Sequence, residues 1–168
     1  FLSSCNSIIK TIYDDTSARY NAYFLANEEI KSIESDYKNN INKSYDSLIN
    51  LTYKIDTNSI SGIKDRTEGS IKKLSILIQR QSTSKYVYPS YALIGKSRLL
   101  NLDIKESITT LKYVNSKSNN KEANNMALVY LLRAYTENKD YKSAIEVDKF
   151  LNDQEMDEAI KIEYYKNS

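Results

Sequence analysis

The stretch Leu2-Ser3-Ser4-Cys5 brings together the residue types needed for one particular covalent modification. An apolar residue, two small residues and then a cysteine make up the lipobox of bacterial lipoproteins. Small residues let a peptidase approach the scissile bond. The thiol takes a diacylglyceryl group and the cysteine becomes the new N-terminus. Lipidation of Cys5 would anchor the chain firmly, because each buried methylene contributes about 0.8 kcal/mol. The competing reading is an ordinary buried thiol on an apolar helix, since free cysteine is among the most buried residue types.

Other chemistry is thinly supplied. The 168 residues contain no His, which removes the commonest metal ligand and the usual acid–base group near neutral pH. A single Cys excludes an intrachain disulfide and a zinc site of several thiolates. Serine is plentiful, but without His the Ser-His and Cys-His arrangements cannot be built. Asp14-Asp15 is a close carboxylate pair of the N-terminal region, and a helix start explains it better than acid–base work. No EF-hand loop, P-loop or dinucleotide fingerprint is present. These residues predict a protein without catalytic apparatus, metal or cofactor.

Charged residues make up 27% and nearly balance at a formal +2, which gives no case for nucleic acid as a partner. Nor is a small-molecule substrate indicated. No stretch approaches the ~18 apolar residues of a membrane span. Three Gly and one Pro are too few for a turn-rich all-β protein. Fifteen Tyr with no Trp make Tyr the large residue of core and groove.

The elements that position these residues are helices, and the second half repeats itself. Tyr91–Val114 and Leu128–Leu151 pair in order at an offset of 37 residues. Tyr91 falls on Leu128, Ile94 on Leu131, Gly95 on Leu132 and Arg98 on Tyr135. Asp103 then falls on Asp140, Ile104 on Tyr141, Ser107 on Ala144, Leu111 on Asp148 and Val114 on Leu151. This spacing is that of the tetratricopeptide repeat, lengthened by about three residues from the usual ~34. The polar run Asn119-Asn120-Lys121-Glu122 can absorb the excess. Arg98 and Asp148 fit poorly, so the repeats are divergent.

Asn101-Leu102-Asp103 and Asn138-Lys139-Asp140 read as the turns within the repeats, each ending in an N-cap Asp. Pro89 lies just inside the first leading helix, where its missing N–H costs little. Gly95 lies mid-helix, where close crossing of the paired helix is the structural explanation. A final helix starting near Asp153 or Asp157, with a stripe of Ala159, Ile162 and Tyr165, reads as the opening of a third repeat, so the native protein is expected to continue past Ser168.

Before the repeats, one helical pattern runs from Ile8 to Tyr37 through Ile9, Tyr13, Thr16, Tyr20, Tyr23, Asn27, Ile30, Ile33 (or Glu34) and Tyr37. Lys38 to Lys43 breaks it. Ser44 can cap a second helix carrying Tyr45, Leu48, Leu51 (or Thr52) and Ile55. A third spans Ile63 to Gln81, with a stripe of Ile63, Thr67, Ile71, Leu74 and Ile78. Lys72, Lys73, Arg80 and Lys85 form its basic flank, which suits a solvated face or a weak contact with anionic headgroups or an acidic partner. The expected fold is therefore all-α: a tetratricopeptide-like hairpin solenoid over 86–168, preceded by long helices over 6–85 and by the lipobox at 1–5.

Thr16-Ser17-Ala18-Arg19-Tyr20-Asn21-Ala22-Tyr23-Phe24, eleven residues after Cys5, resembles the N-terminus of the PorW/SprE family. These are outer-membrane lipoproteins of type IX secretion and gliding that carry periplasmic tetratricopeptide repeats. Lys72-Lys73-Leu74-Ser75 and Ile78-Gln79-Arg80-Gln81-Ser82, leading into Tyr91-Ala92-Leu93-Ile94-Gly95-Lys96-Ser97-Arg98, resemble the family's approach to its first clear repeat. Two places depart from it. Tyr13-Asp14 stands where the family has Tyr-His, and Tyr86-Val87-Tyr88-Pro89 replaces an acidic, aromatic-rich stretch. The resemblance implies a lipid-anchored scaffold on the periplasmic face of the outer membrane. Its implied partners are the type IX translocon and the periplasmic ring machinery.

Stacked hairpins offer a concave surface lined by one helix of each repeat. The inner helices are expected at about Pro89–Leu100 and Asn125–Asn138. Tyr88, Lys96, Arg133 and Asn138 are the candidate groove residues, able to hydrogen-bond an extended partner segment or its carboxylate. Arg19, Tyr20, Asn21 and Tyr23 are the candidate anchors of the long N-terminal helix, onto the repeats or onto a partner. Two other readings stand beside the scaffold: a lipoprotein capturing a peptide or glycan on similar repeats, and an unanchored adaptor in which Cys5 is core.

Overall fold

The computed structural model describes residues 13, 15–16, 22–41 and 62–167. Cys5, Asp14, Arg19, Tyr20, Asn21 and the helix expected from Ser44 lie outside the described residues. Within them stand seven helices of ten residues or more: α1 Phe24–Ile41, α2 Ile63–Arg80, α3 Val87–Leu100, α4 Ile104–Lys117, α5 Lys121–Glu137, α6 Tyr141–Asn152 and α7 Glu158–Asn167. No strand occurs among the described residues. Each of the first five helices packs on its successor in the chain, and α5 also packs on α3 and on α7.

The hairpin turns give this arrangement its regularity. Leu102 and Lys139, 37 positions apart, both take left-handed backbone with φ of 64° and 61°. After each of them the chain reaches back five residues. The Asp103 N–H donates to the Arg98 carbonyl at 2.9 Å, and the Asp140 N–H donates to the Tyr135 carbonyl at 2.9 Å. This is the Schellman closure of a helix, here without glycine. Asp103 and Asp140 then both occupy N-cap positions, but only the Asp140 carboxylate caps, accepting from the Ser143 N–H at 3.2 Å. The loop between the two hairpins is shorter than expected. Lys121 and Glu122 already belong to α5, whose first turn the Asn120 side chain caps.

Gly95 lies where α3 and α4 cross. A Cβ on it would stand 2.5 Å from Leu111 Cγ and Cδ2, inside any tolerable contact. The Ser107 hydroxyl donates to the Gly95 carbonyl at 2.8 Å, which fixes the crossing. The second hairpin carries Leu132 and Asp148 at the equivalent positions. There the bulky side chain has moved to the leading helix, and Asp148 accepts the Tyr164 hydroxyl at 2.8 Å.

Two cores result. One joins α3 to α7 through residues such as Leu111, Val114, Leu128, Leu131, Leu151, Ile160 and Tyr164. Ala92, Ala123 and Ala127 belong to it, and their small side chains suit the close contact of α3 with α5. The other packs α1 and α2 against α3 through Ala26, Ile30, Ile33, Tyr37, Ile63, Leu74, Leu93, Ile94 and Leu100. Complete burial of Ile30 and Ile33 is worth about 1.5–3 kcal/mol apiece. Polar contacts fix the position of α1. Tyr37 donates to the Leu100 carbonyl at 3.2 Å, and Arg66 on α2 binds Glu29, Asp36 and Ser32 of α1.

The last helix turns a different face inward from the one its pattern suggests. Ile160 and Tyr164 are buried, whereas Ala159, Ile162 and Tyr165 are exposed. Two apolar stripes compete on this short helix. Contact with α5, together with the bonds from the Tyr164 hydroxyl to Asp148 and Asn152 of α6, selects the second stripe.

Candidate functional site

Lys96 follows Gly95 on α3 and is 6% exposed. A lysine this deep must be compensated, because an unpaired buried charge is prohibitively costly. Its Nζ donates to Glu34 of α1 at 2.9 Å and to Glu163 of α7 at 3.2 Å. The same ammonium lies 4.9 Å from the centre of the Tyr130 ring on α5. One side chain thus draws together four helices that are distant in sequence. Burial opposes the lysine charge. Tyr130 and the two carboxylates more than offset it and hold the pKa above the ordinary lysine value. Burial likewise opposes the Glu163 charge, but Lys96 and Lys166 override it and hold the carboxyl below its usual value.

Beside this cluster opens a cleft of about 250 Å³. Tyr23, Asn27 and Lys31 form one wall, from α1 and the turn just before it. Glu122, Met126, Val129 and Tyr130 of α5 form the floor. Asp157, Ala159, Ile160 and Glu163 close the far side. Tyr23 stacks at a tilt on Tyr86, with ring centres 5.0 Å apart. Burial, with Tyr130 and Glu122 close by, raises the pKa of its hydroxyl. A site this small admits about one large side chain and falls short of the usual ~300–1,000 Å³ of small-molecule pockets.

The residues proposed from sequence are scattered relative to this cleft. Tyr23 and Lys96 line it. Lys96, however, is engaged with its own chain and is not a solvated groove donor. Tyr88 is partly buried against the core of the hairpins. Arg133 is partly buried and Asn138 is exposed at the end of α5, and neither lines the cleft. Sequence reading missed Glu34, Glu122, Met126, Tyr130, Asp157 and Glu163. A sequence signal did exist for one of them: a lysine next to a mid-helix glycine on a helix with no polar face must find carboxylates. It does not say which.

A second depression, of about 260 Å³, lies among α4, α5 and α6 and is lined by Asn115, Leu128, Tyr135, Ser143, Glu146, Val147 and Phe150. No described helix is long and apolar enough to cross a membrane. Comparison of the chain with protein-family models, with curated proteins and with solved structures finds no match to any of them.

Proposed function

We propose that this chain is a non-enzymatic scaffold, a tetratricopeptide-like helical array that holds other proteins together. In this reading Cys5 carries a lipid anchor that places the array on the periplasmic face of the outer membrane. The resemblance of short stretches to the PorW/SprE family suggests the partners: the type IX translocon and the periplasmic ring machinery. The contribution is geometric, because a tethered rigid surface raises the effective concentration of whatever it binds.

The observation that carries the reading is the recurrence of the hairpin turn at Leu102 and Lys139. Backbone angles and reach-back hydrogen bonds repeat there at the same 37-residue offset as the sequence. Repeating hairpins stack and leave one helix of each pair facing a common side.

Two measurements test it. Mass analysis of the N-terminal peptide from the full-length protein in its own host should find a chain starting at Cys5 with diacylglyceryl and acyl mass. A pull-down from solubilised membranes should contain secretion components. An unmodified peptide retaining Phe1 to Ser4 removes the anchor and favours the adaptor reading. A pull-down lacking every secretion component removes the type IX assignment. A second reading, capture of a peptide by the repeats, is favoured by the side-chain-sized cleft between α1, α5 and α7.

A further inference from the structure

The cleft carries an excess of negative charge. Lys96 and Lys166 together balance Glu34 and Glu163, so the excess rests on Glu122 and Asp157. Glu122 has no ion-pair partner among the described residues. Asp157 has none either, although it accepts the Ile160 N–H at 2.9 Å. Lys31, on the rim, is drawn to Glu28 at 2.8 Å. The N-termini of α5 and α7 point positive ends this way, each equivalent to about half an elementary charge. Glu122 and Asp157, one carboxylate on each, more than balance them. The site therefore repels anions and attracts cations.

Its shape narrows the class of cation. Among the described residues no three acidic side chains converge closely enough to hold a metal ion. Instead, carboxylates stand around a floor of Met126, Val129 and Ile160. An apolar stem carrying a charged head is what such a surface complements, and lysine and arginine side chains have that form. The volume admits one such side chain and little more.

We propose that this cleft receives a single lysine or arginine side chain presented by a partner polypeptide, its stem on Met126, Val129 and Ile160 and its head between Glu122 and Asp157. This deepens the scaffold reading, and rests on it, by naming the chemistry of the contact. The flanking residues of the partner lie along α1 and α7, whose outward positions Leu25 and Ile162 are exposed and apolar.

The chain has two methionines, Met126 in the cleft and Met156 outside its lining, so methyl labelling of Met gives two signals with an internal control. The probes are the blocked peptides Ac-Leu-Lys-Leu-NH2 and Ac-Leu-Arg-Leu-NH2, titrated into the whole 168-residue chain. The Met126 methyl should shift saturably, in about the millimolar range expected of one side chain, while Met156 stays still. Glu122→Gln should weaken binding about threefold and Glu122→Lys about tenfold. Glu122 is exposed and unpaired, so both variants keep the fold.

Absence of a saturable Met126 shift overturns the proposal. So does an equal shift with the norleucine peptide Ac-Leu-Nle-Leu-NH2, or equal affinity for putrescine, which would make the site one for free amines. Failure of the cleft leaves the Cys5 mass and the membrane pull-down unaffected. Failure of those two leaves the methyl shift standing, so the two readings fail separately.

Discussion

Lys96 and Glu163 stand 67 positions apart in the chain, yet their side chains meet at 3.2 Å in the interior. With Glu34 on the other flank at 2.9 Å, the lysine ties α1 and α7 to α3. Removing one member of such a buried cluster costs more than removing it whole, because the survivors are left uncompensated. Lys96→Met should destabilise the chain by about 3 kcal/mol, since Glu34 and Glu163 would then face each other. Adding Glu34→Gln to it should restore about 1 kcal/mol. Urea denaturation of the two variants measures both, and a neutral Lys96→Met would mean the pair contributes nothing.

The same cluster sets a pH dependence. Glu163 has a folded pKa held below the ordinary 4.5, so its contribution is complete above that value and is lost as acid titrates it in the fold. Lys96 has a folded pKa above the ordinary 10.5, so its contribution is complete below that value and fades only in stronger alkali. Thermal melts should show a plateau between these limits with a fall on the acid side. Glu163→Gln should flatten that acid limb. An unchanged acid limb in the variant would assign acid sensitivity to other carboxylates.

Gly95 has no room for a methyl group, because Leu111 already occupies that space. Alanine would gain about 0.5–1 kcal/mol of helix propensity. The enforced displacement of a fully buried leucine costs about 1–3 kcal/mol. Gly95→Ala should therefore be net destabilising, and Leu111→Val in the same chain should recover part of the loss. Calorimetric melting that finds Gly95→Ala more stable would mean the crossing relaxes freely.

The two hairpin turns hold Leu102 and Lys139 in left-handed backbone, which costs a residue with a Cβ about 1–2 kcal/mol. Lys139 is exposed and its side chain makes no hydrogen bond or ion pair among the described residues, so it isolates this effect. Lys139→Gly should raise stability by about 0.5–1 kcal/mol, the remainder being spent on the freer unfolded chain. A lower melting temperature for this variant would show that the lysine side chain supports the turn in another way.

Much of the helical plan could be read along the chain. The hairpin repeat, both Asn-x-Asp turns and the tight crossing at Gly95 were visible from spacing, because helix periodicity and turn chemistry act over a few residues. The helix from Ile63 was legible for the same reason, ending at Arg80. The cleft was not legible. Its carboxylates sit on helices that read as ordinary amphipathic segments, and nothing local distinguishes Glu122 or Glu163 from a solvated neighbour.

Local sequence by itself determined that the chain is helical and that its second half folds as two like hairpins. Only the tertiary structure decided which way α7 faces and where Lys96 spends its charge. A helix with two candidate stripes buries the one its neighbour can cover, so Ile160 and Tyr164 turn inward while Ile162 and Tyr165 remain outside. A buried ammonium is tolerated only where carboxylates meet it, and Glu34 and Glu163 reach Lys96 through chain folding, from opposite ends of the described residues.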